Sequence, residues 1–328
     1  MKGFLNILCA VTPAPEHAAA LQRAVSLAEN NQASLTVAAV IPRFTADYRM
    51  PEGGPVSAEM QDRLKAEHLE ALESFTAPYR GRVQIRHEVL AGRVFMELIR
   101  AVLRNGHDLV IKPAENPGYV ERLFGSDDMH LLRKCPCPLW LTKPGEKADY
   151  ERILAAVDLG TESDEASRPA FGELDAAILE LASSLAVSDF TELHVVHAWD
   201  APAESILRRW NYEPDHLVTR YVDAERERHQ RALERARRAL RERLGEETYD
   251  YVSPRFHLQR GPASRAVPDA AGNLRADLVV MGTLGRSGIA GLFIGNTAEA
   301  ILEQLQCSVL ALKPPGFVTP VTVEDAAD

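Results

Sequence analysis

Disulfide chemistry is the first thing this chain has little means for. Four cysteines, Cys9, Cys135, Cys137 and Cys307, in 328 residues do not make a disulfide framework in a chain this long. Long apolar runs are also missing. No segment reaches the ~18 consecutive apolar residues that a membrane span needs, and Met1-Lys2-Gly3 leads into a strand pattern rather than a secretory leader, so a cytoplasmic protein is expected. Positive charge is in deficit: 37 basic against 47 acidic residues give a formal net charge of -10, which disfavours nonspecific binding to nucleic acid or an anionic membrane. Catalytic signatures are absent too. There is no GxxxxGK[ST] loop, no HExxH, and no carboxylate and nucleophile whose pairing the sequence fixes. Cys135-Pro136-Cys137 has neither the CxxC spacing nor the nearby histidines of a metal or redox pair. His194 and His197 fall on opposite faces of a strand, because side chains alternate with period two, and so do not read as a ligand pair.

The basic residues that are present concentrate at 226–243, where arginines alternate with Glu225, Glu227, Glu234 and Glu242 around an apolar stripe of Ala232, Leu233, Ala236, Ala239, Leu240 and Leu244. Such sign mixing builds i,i+4 pairs on a solvated helix rather than a nucleic-acid patch.

What the chain has in abundance is repetition. Gly125-Ser126 lies twelve residues before Cys137 and Gly295-Asn296 twelve before Cys307, after which CPLWLTKP matches CSVLALKP. Upstream, Gly92 stands sixteen before Asp108 and Gly261 sixteen before Asp277. A whole unit is therefore duplicated. In the first copy, apolar runs at 5–11, 34–41, 83–90, 108–112 and 138–143 alternate with helical patterns near 16–31, 56–77, 93–104 and 126–134. The second copy places strands near 152–157, 191–198, 252–259, 277–281 and 308–312. Short, near-continuous apolar strands separated by helices predict α/β domains, each a five-stranded parallel sheet covered on both faces. The polar run Pro144-Gly145-Glu146-Lys147 divides them, giving domains 1–146 and 147–315 and an acidic tail 316–328.

Met281 to Glu299, MGTLGRSGIAGLFIGNTAE, follows an apolar strand and opens a helix. Gly282 and Gly285 would let backbone N–H groups approach an anion, and Gly295-Asn296-Thr297 would present a helix start to the same space. The alternative is local: Asn296 as an N-cap with Glu299 as its capping-box partner. The first copy carries Pro113 and Asn116 where the second has glycines, and Asp127 and Asp128 in the following helical turn. Proline removes a donor and the carboxylates repel phosphate, so the first copy is expected to bind no nucleotide.

The spacing Gly282-x2-Gly285-x9-Gly295 followed by a small polar residue resembles the nucleotide-binding signature of the universal stress protein family. HLLRKCPCPLW (130–140) and GNTAEAILEQLQC (295–307) are similar to its tandem E-type branch, and the resemblance covers nearly the whole chain as two Rossmann-like copies arranged as a pseudo-dimer. It implies an adenine nucleotide, ATP with Mg²⁺, in the second copy. There Asp158 would contact the adenine and ribose region, Val196 and Met281 would line the base pocket, and backbone at Gly282, Gly285, Gly295, Asn296 and Thr297 would hold phosphates. The family more often has Ser or Thr where Asn296 stands, which passes any hydroxyl contact to Thr297. Asp158 also reads as a turn or helix cap.

The expected role is binding or regulation in a stress response, limited as an enzyme to slow ATP hydrolysis or autophosphorylation. The alternative is a nucleotide-independent module that takes an apolar small molecule or a protein partner in the first copy or the cleft between copies. It is suggested by the aromatic insertions 42–55 and 199–216. The last strands of the two copies are expected to pair, about a pseudo-two-fold axis near Trp140 and Leu310, and a homodimer of whole chains is the other assembly the family suggests.

Overall fold

Each apolar run becomes a parallel strand, and each amphipathic run a helix lying on the sheet. The computed structural model describes residues 3–43, 55–115, 123–147, 149–160, 168–209, 215–283 and 294–323. In the first half these are β1 (Asn6–Ala10), α1 (Ala18–Asn31), β2 (Ser34–Ile41), α2 (Pro55–Thr76), β3 (Ile85–Ala91), α3 (Val94–Asn105), β4 (Leu109–Pro113), α4 (Ser126–Lys134) and β5 (Leu139–Thr142). The second half runs β6 (Arg152–Val157), α5 (Arg168–Asp189), β7 (Glu192–Trp199), α6 (Glu204–Arg209), α7 (Asp215–Leu244), α8 (Glu246–Val252), β8 (Arg255–Arg260), α9 (Ala263–Leu274), β9 (Leu278–Gly282), α10 (Asn296–Leu302) and β10 (Ser308–Leu312).

The ten strands form one sheet in the order β3-β2-β1-β4-β5-β10-β9-β6-β7-β8. This order reads the same from either edge once the halves are exchanged. All pairings are parallel except the central one, where β10 meets β5 antiparallel with Val309, Leu310 and Ala311 opposite Leu141, Trp140 and Leu139. The Trp140–Leu310 pair lies at the middle of that ladder, where the duplication predicted it. One apolar core covers each face, and both run through the two halves: α1 and α5 close one face, α3, α4, α9 and α10 the other.

The duplicated polar residues mark duplicated joints. Asp108 accepts the N–H groups of Leu5 (2.7 Å) and Asn6 (3.0 Å), and Asp277 those of Glu151 (2.7 Å) and Arg152 (2.9 Å). Each carboxylate thus satisfies the entry to the central strand of its half. Gly92 and Gly261 donate to the last carbonyls of β2 and β7, Ile41 O at 2.9 Å and Trp199 O at 2.8 Å. Their φ angles of +147° and +124° are ones that residues with a Cβ rarely adopt.

Beyond the ladder, the halves are tied by polar contacts. Arg23 on α1 pairs with Asp189 at the end of α5, and its guanidinium lies 3.9 Å from the Tyr150 ring centroid. Tyr150 donates to Glu146 at 2.6 Å, and Lys143 N–H donates to Ser308 Oγ at 2.7 Å. On the other face Arg133 of α4 meets Glu299 of α10 at 2.6 Å.

The largest shift of a strand start is at β8, which begins at Arg255. The run 252–259 was expected to be extended throughout, but Val252 is the buried last residue of α8 and Ser253 caps that helix in the left-handed region (φ 44°). The tyrosines of 249–251 favour strands intrinsically, and packing of α8 beside α7 and α5 overrides that preference. The arginine-rich stretch is helical as expected, with ion pairs Arg228–Glu225 and Arg237–Glu234 outside and Ala232, Leu233 and Leu240 buried.

Candidate functional site

The carboxyl ends of β6, β7 and β9 converge on one edge of the second half, the edge at which open parallel sheets take ligands. Val196, Ala156, Met281 and Ala311 stand opposite one another across β7, β6, β9 and β10. Val196 and Met281 are 0% and 3% exposed, while Ala156 between them is only half-buried. The two residues expected to line a base pocket therefore flank the small residue at which this row opens. Asp158, two residues beyond Ala156, is exposed. Its N–H donates to the carboxylate of Asp175 on α5 at 2.9 Å, so a buried acid missed in the sequence orients this strand end. On the opposite face, buried His197 sits with Nδ1 3.3 Å from Val157 O and Nε2 2.8 Å from His229 Nδ1. The carbonyl can only accept, so Nδ1 of His197 carries the proton and Nε2 accepts from His229. His194 contacts His257 instead (2.9 Å), on the other side of the sheet as the alternation requires.

The glycines divide. Gly285 lies outside the described residues. Gly282 closes β9 in register with Leu312, and a Cβ there would stand 2.7 Å from Leu174 Cδ2. Its bare α-carbon therefore accommodates α5, whatever else it admits. If Gly282 served only the close approach of an anion, Gly282→Val would leave the fold largely intact. The packing corrects this: overfilling the site against Leu174, itself 4% exposed, should cost about 1–3 kcal/mol. A lowered urea midpoint for Gly282→Val checks this, and an unchanged midpoint would mean that Leu174 moves aside freely.

Gly295, rather than Asn296, is the N-cap of α10, with φ -64° and ψ 140° and no side-chain capping bond. The capping-box reading of Asn296 and Glu299 is thereby replaced, since Glu299 reaches across to Arg133. The N–H of Gly295 already donates to Thr283 O at 3.0 Å. That leaves exposed Asn296 and Thr297 as the residues of this helical start best placed to meet an anion.

The corresponding place in the first half is filled from within. Asp128, fully buried, accepts from Glu115 N–H at 2.7 Å, from Gly125 N–H at 3.0 Å and from Lys112 Nζ at 2.7 Å. A carboxylate with two amides and an ammonium is the arrangement that a bound phosphate oxygen would have. By the repeat, Ala298 occupies the position of Asp128, and Met281 that of Lys112. Sequence reasoning placed Asp128 in the helical turn but missed its partner Lys112.

Between α4 and α10 lies a cleft of about 240 Å³, lined by Phe124, Met129, His130, Arg133, Glu299 and Leu302 among others. Burial and the adjoining Lys134 and Arg133 charges hold the His130 imidazole below its usual range. Of the aromatic insertions, 44–54 and 210–214 lie outside the described residues. Trp199 is buried against His229 with centroids 6.2 Å apart.

The model of the universal stress protein family matches residues 3–143 and 149–313. Universal stress protein E of Escherichia coli K12 is 31% identical over 338 aligned residues, covering 100% of both chains, and that of Salmonella typhi is 30% identical over 340, again covering 100% of both. A crystal structure from Pseudomonas aeruginosa UCBPP-PA14 assigned to this family aligns with TM-score 0.62 at 26% identity, covering 95% of this chain and 94% of its own. One from Archaeoglobus fulgidus aligns at 0.61 with 16% identity, over 94% and 98%, and supports the fold alone. With two family matches end to end and a sheet that is two copies of one topology, this chain belongs to the universal stress protein family and carries its domain in tandem.

Proposed function

We propose that the chain is a cytoplasmic stress-response protein that binds an adenine nucleotide, ATP with Mg²⁺, at the carboxyl edge of its second domain, and acts by binding or regulation rather than fast turnover. The observation that carries this reading is the asymmetry at one helical turn. The first domain neutralises its own amides with the Asp128 carboxylate and Lys112. The second has Ala298 and Met281 there, leaving negative charge to be brought by a ligand. The row Val196–Ala156–Met281 supplies an apolar floor for a base, Asp158 a carboxylate for a ribose hydroxyl, and Asn296 and Thr297 the polar contacts for phosphate. Among the described residues no helix is long and apolar enough to cross a membrane.

Calorimetry with ATP and Mg²⁺ should give one site per chain; two equivalent sites, or none at millimolar ATP, would overturn the assignment. Thr297→Asp, an exposed change that copies Asp127 of the first domain, should weaken ATP by about tenfold or more through like-charge repulsion without shifting the unfolding midpoint. The second reading, an apolar or protein ligand between the domains, rests on the cleft between α4 and α10. Its 240 Å³ falls below the roughly 300 Å³ at which small-molecule pockets begin, and absence of ATP binding would favour it.

A further inference from the structure

Cys135 and Cys137 stand on either side of Pro136, where α4 gives way to β5. Cys135 caps the helix in an extended conformation (φ -64°, ψ 127°), with its N–H donating to Leu131 O. In a straight strand, residues two apart would point to the same face several ångströms from each other. The turn at Pro136 closes that gap and leaves the two sulfurs in contact at 3.7 Å.

A third residue arrives from the other domain. Lys313, just past β10, donates to Leu132 O and Thr283 Oγ1, the latter at 2.7 Å, and reaches Arg133 O at 3.4 Å. It therefore places an ammonium at the end of α4 beside Cys135. Desolvation lowers the Lys313 ammonium to about 8, opposed by the negative charge on Cys135. The Cys135 thiol is held below its usual range, first by the hydrogen bond from Cys137 against the opposing effect of burial, and Lys313 adds to the lowering. The remaining cysteines are different, since burial pushes both Cys9 and Cys307 up to about 12.

We propose that Cys135 and Cys137 form a reversible dithiol–disulfide site whose oxidant is a small hydroperoxide. Access selects the oxidant. With Cys135 1% and Cys137 9% exposed, hydrogen peroxide, little larger than water, reaches the pair where a bulky disulfide does not. The Cys135 thiolate attacks one peroxide oxygen, so that an S–O bond forms, the O–O bond breaks, and the departing oxygen takes a proton and leaves as water. The Cys137 sulfur, giving up its proton, then attacks the sulfenic sulfur. The S–S bond forms, the S–O bond breaks, and the hydroxide leaves as a second water. Two thiols lose two electrons and the peroxide gains them. Closing the bond brings the sulfurs from 3.7 Å to about 2.05 Å, a movement that side-chain rotation beside the Pro136 turn supplies.

The test is peroxide treatment of the full chain at neutral pH, removal of the peroxide, and unfolding in urea so that buried thiols and any disulfide become open to reagents, followed by alkylation of free thiols and peptide mapping by mass spectrometry. The expected product is one peptide lighter by two hydrogens that joins Cys135 to Cys137, restored by dithiothreitol, with Cys9 and Cys307 alkylated as before. Cys137→Ser should leave a sulfenic acid on Cys135 that dimedone traps when it is present in the unfolding urea. Lys313→Met should slow the wild-type reaction by about tenfold near pH 7 and much less above pH 9, as expected when the lost charge acts on the thiolate population. The wild-type experiment decides the matter even if a variant fails to fold. Equal oxidation of all four cysteines, oxidation of Cys135 to sulfinic acid without a disulfide, or no reaction at peroxide levels that oxidise a free thiol would each overturn the proposal.

Discussion

Expressed apart, residues 1–146 and 147–328 should self-associate or aggregate, and mixing them should restore a soluble complex the size of the whole chain. The reason is the central ladder. Leu139, Trp140 and Leu141 are 2%, 0% and 0% exposed, and Val309, Leu310 and Ala311 0%, 0% and 4%, each set paired with the other domain's last strand and covered by helices. Separation uncovers unpaired backbone on β5 and β10, which templates pairing with another chain, together with a contiguous apolar patch of the kind soluble monomers rarely expose. It also strands buried charge, because Arg23 is 5% exposed and its ion partner Asp189 belongs to the other half. Because the seam is pseudo-symmetric, the most accessible repair for an isolated half is to pair its own last strand with that of a second copy. Size-exclusion chromatography with light scattering checks this. Two monomeric halves that ignore one another would show that the seam is a docking contact between independent domains rather than a shared core.

Much of this architecture could be read from the sequence, and its legible parts have a common physical origin. Strand and helix periodicities were local, and the repeat supplied the rest: Cys137 with Cys307 fixed the final strands, and Asp108 with Asp277 marked the joints where a carboxylate satisfies two strand-entry amides. The β5–β10 register followed because a duplicated chain pairs equivalent strands about a two-fold axis. What stayed hidden were contacts between residues far apart in sequence with no repeated spacing to announce them. Asp175 holding Asp158 N–H, His229 meeting His197 and Lys313 crossing to α4 are of this kind. The packing role of Gly282 is hidden for a related reason: its bare α-carbon makes room for Leu174, 108 residues earlier, and a glycine does not state what it makes room for. The Cys135-Pro136-Cys137 pair was discounted on spacing, although the turn at Pro136, not the spacing, brings the sulfurs together. The sequence does carry one signal of the Lys112–Asp128 contact, since a lysine inside the strand HDLVIKP requires a buried counter-charge.

That counter-charge underlies the second large effect. Asp128→Ala should destabilise the protein by about 3 kcal/mol, because it removes the closest carboxylate from the buried Lys112 ammonium, leaving it Glu115 at 3.7 Å and the Pro113 carbonyl at 3.0 Å, and leaves the Glu115 and Gly125 amides without that acceptor. Asp128 is 0% and Lys112 8% exposed, and Nζ lies 2.7 Å from the carboxylate, so water cannot replace the lost charge without opening the core. Lys112→Met alone should also be costly, since it strands the carboxylate, although that group retains its two amide donors. The double variant makes the first domain resemble the second, which already carries Met281 and Ala298 at these positions. Apolar replacement of a buried pair is often neutral, so the double variant should recover most of the loss, with a coupling of about 2–3 kcal/mol in the mutant cycle. Urea unfolding of the four proteins measures it. Additive single effects, or an Asp128→Ala cost below about 1 kcal/mol, would mean that the pair behaves as an ordinary surface ion pair, and that the first domain's phosphate position is not closed by its own charge.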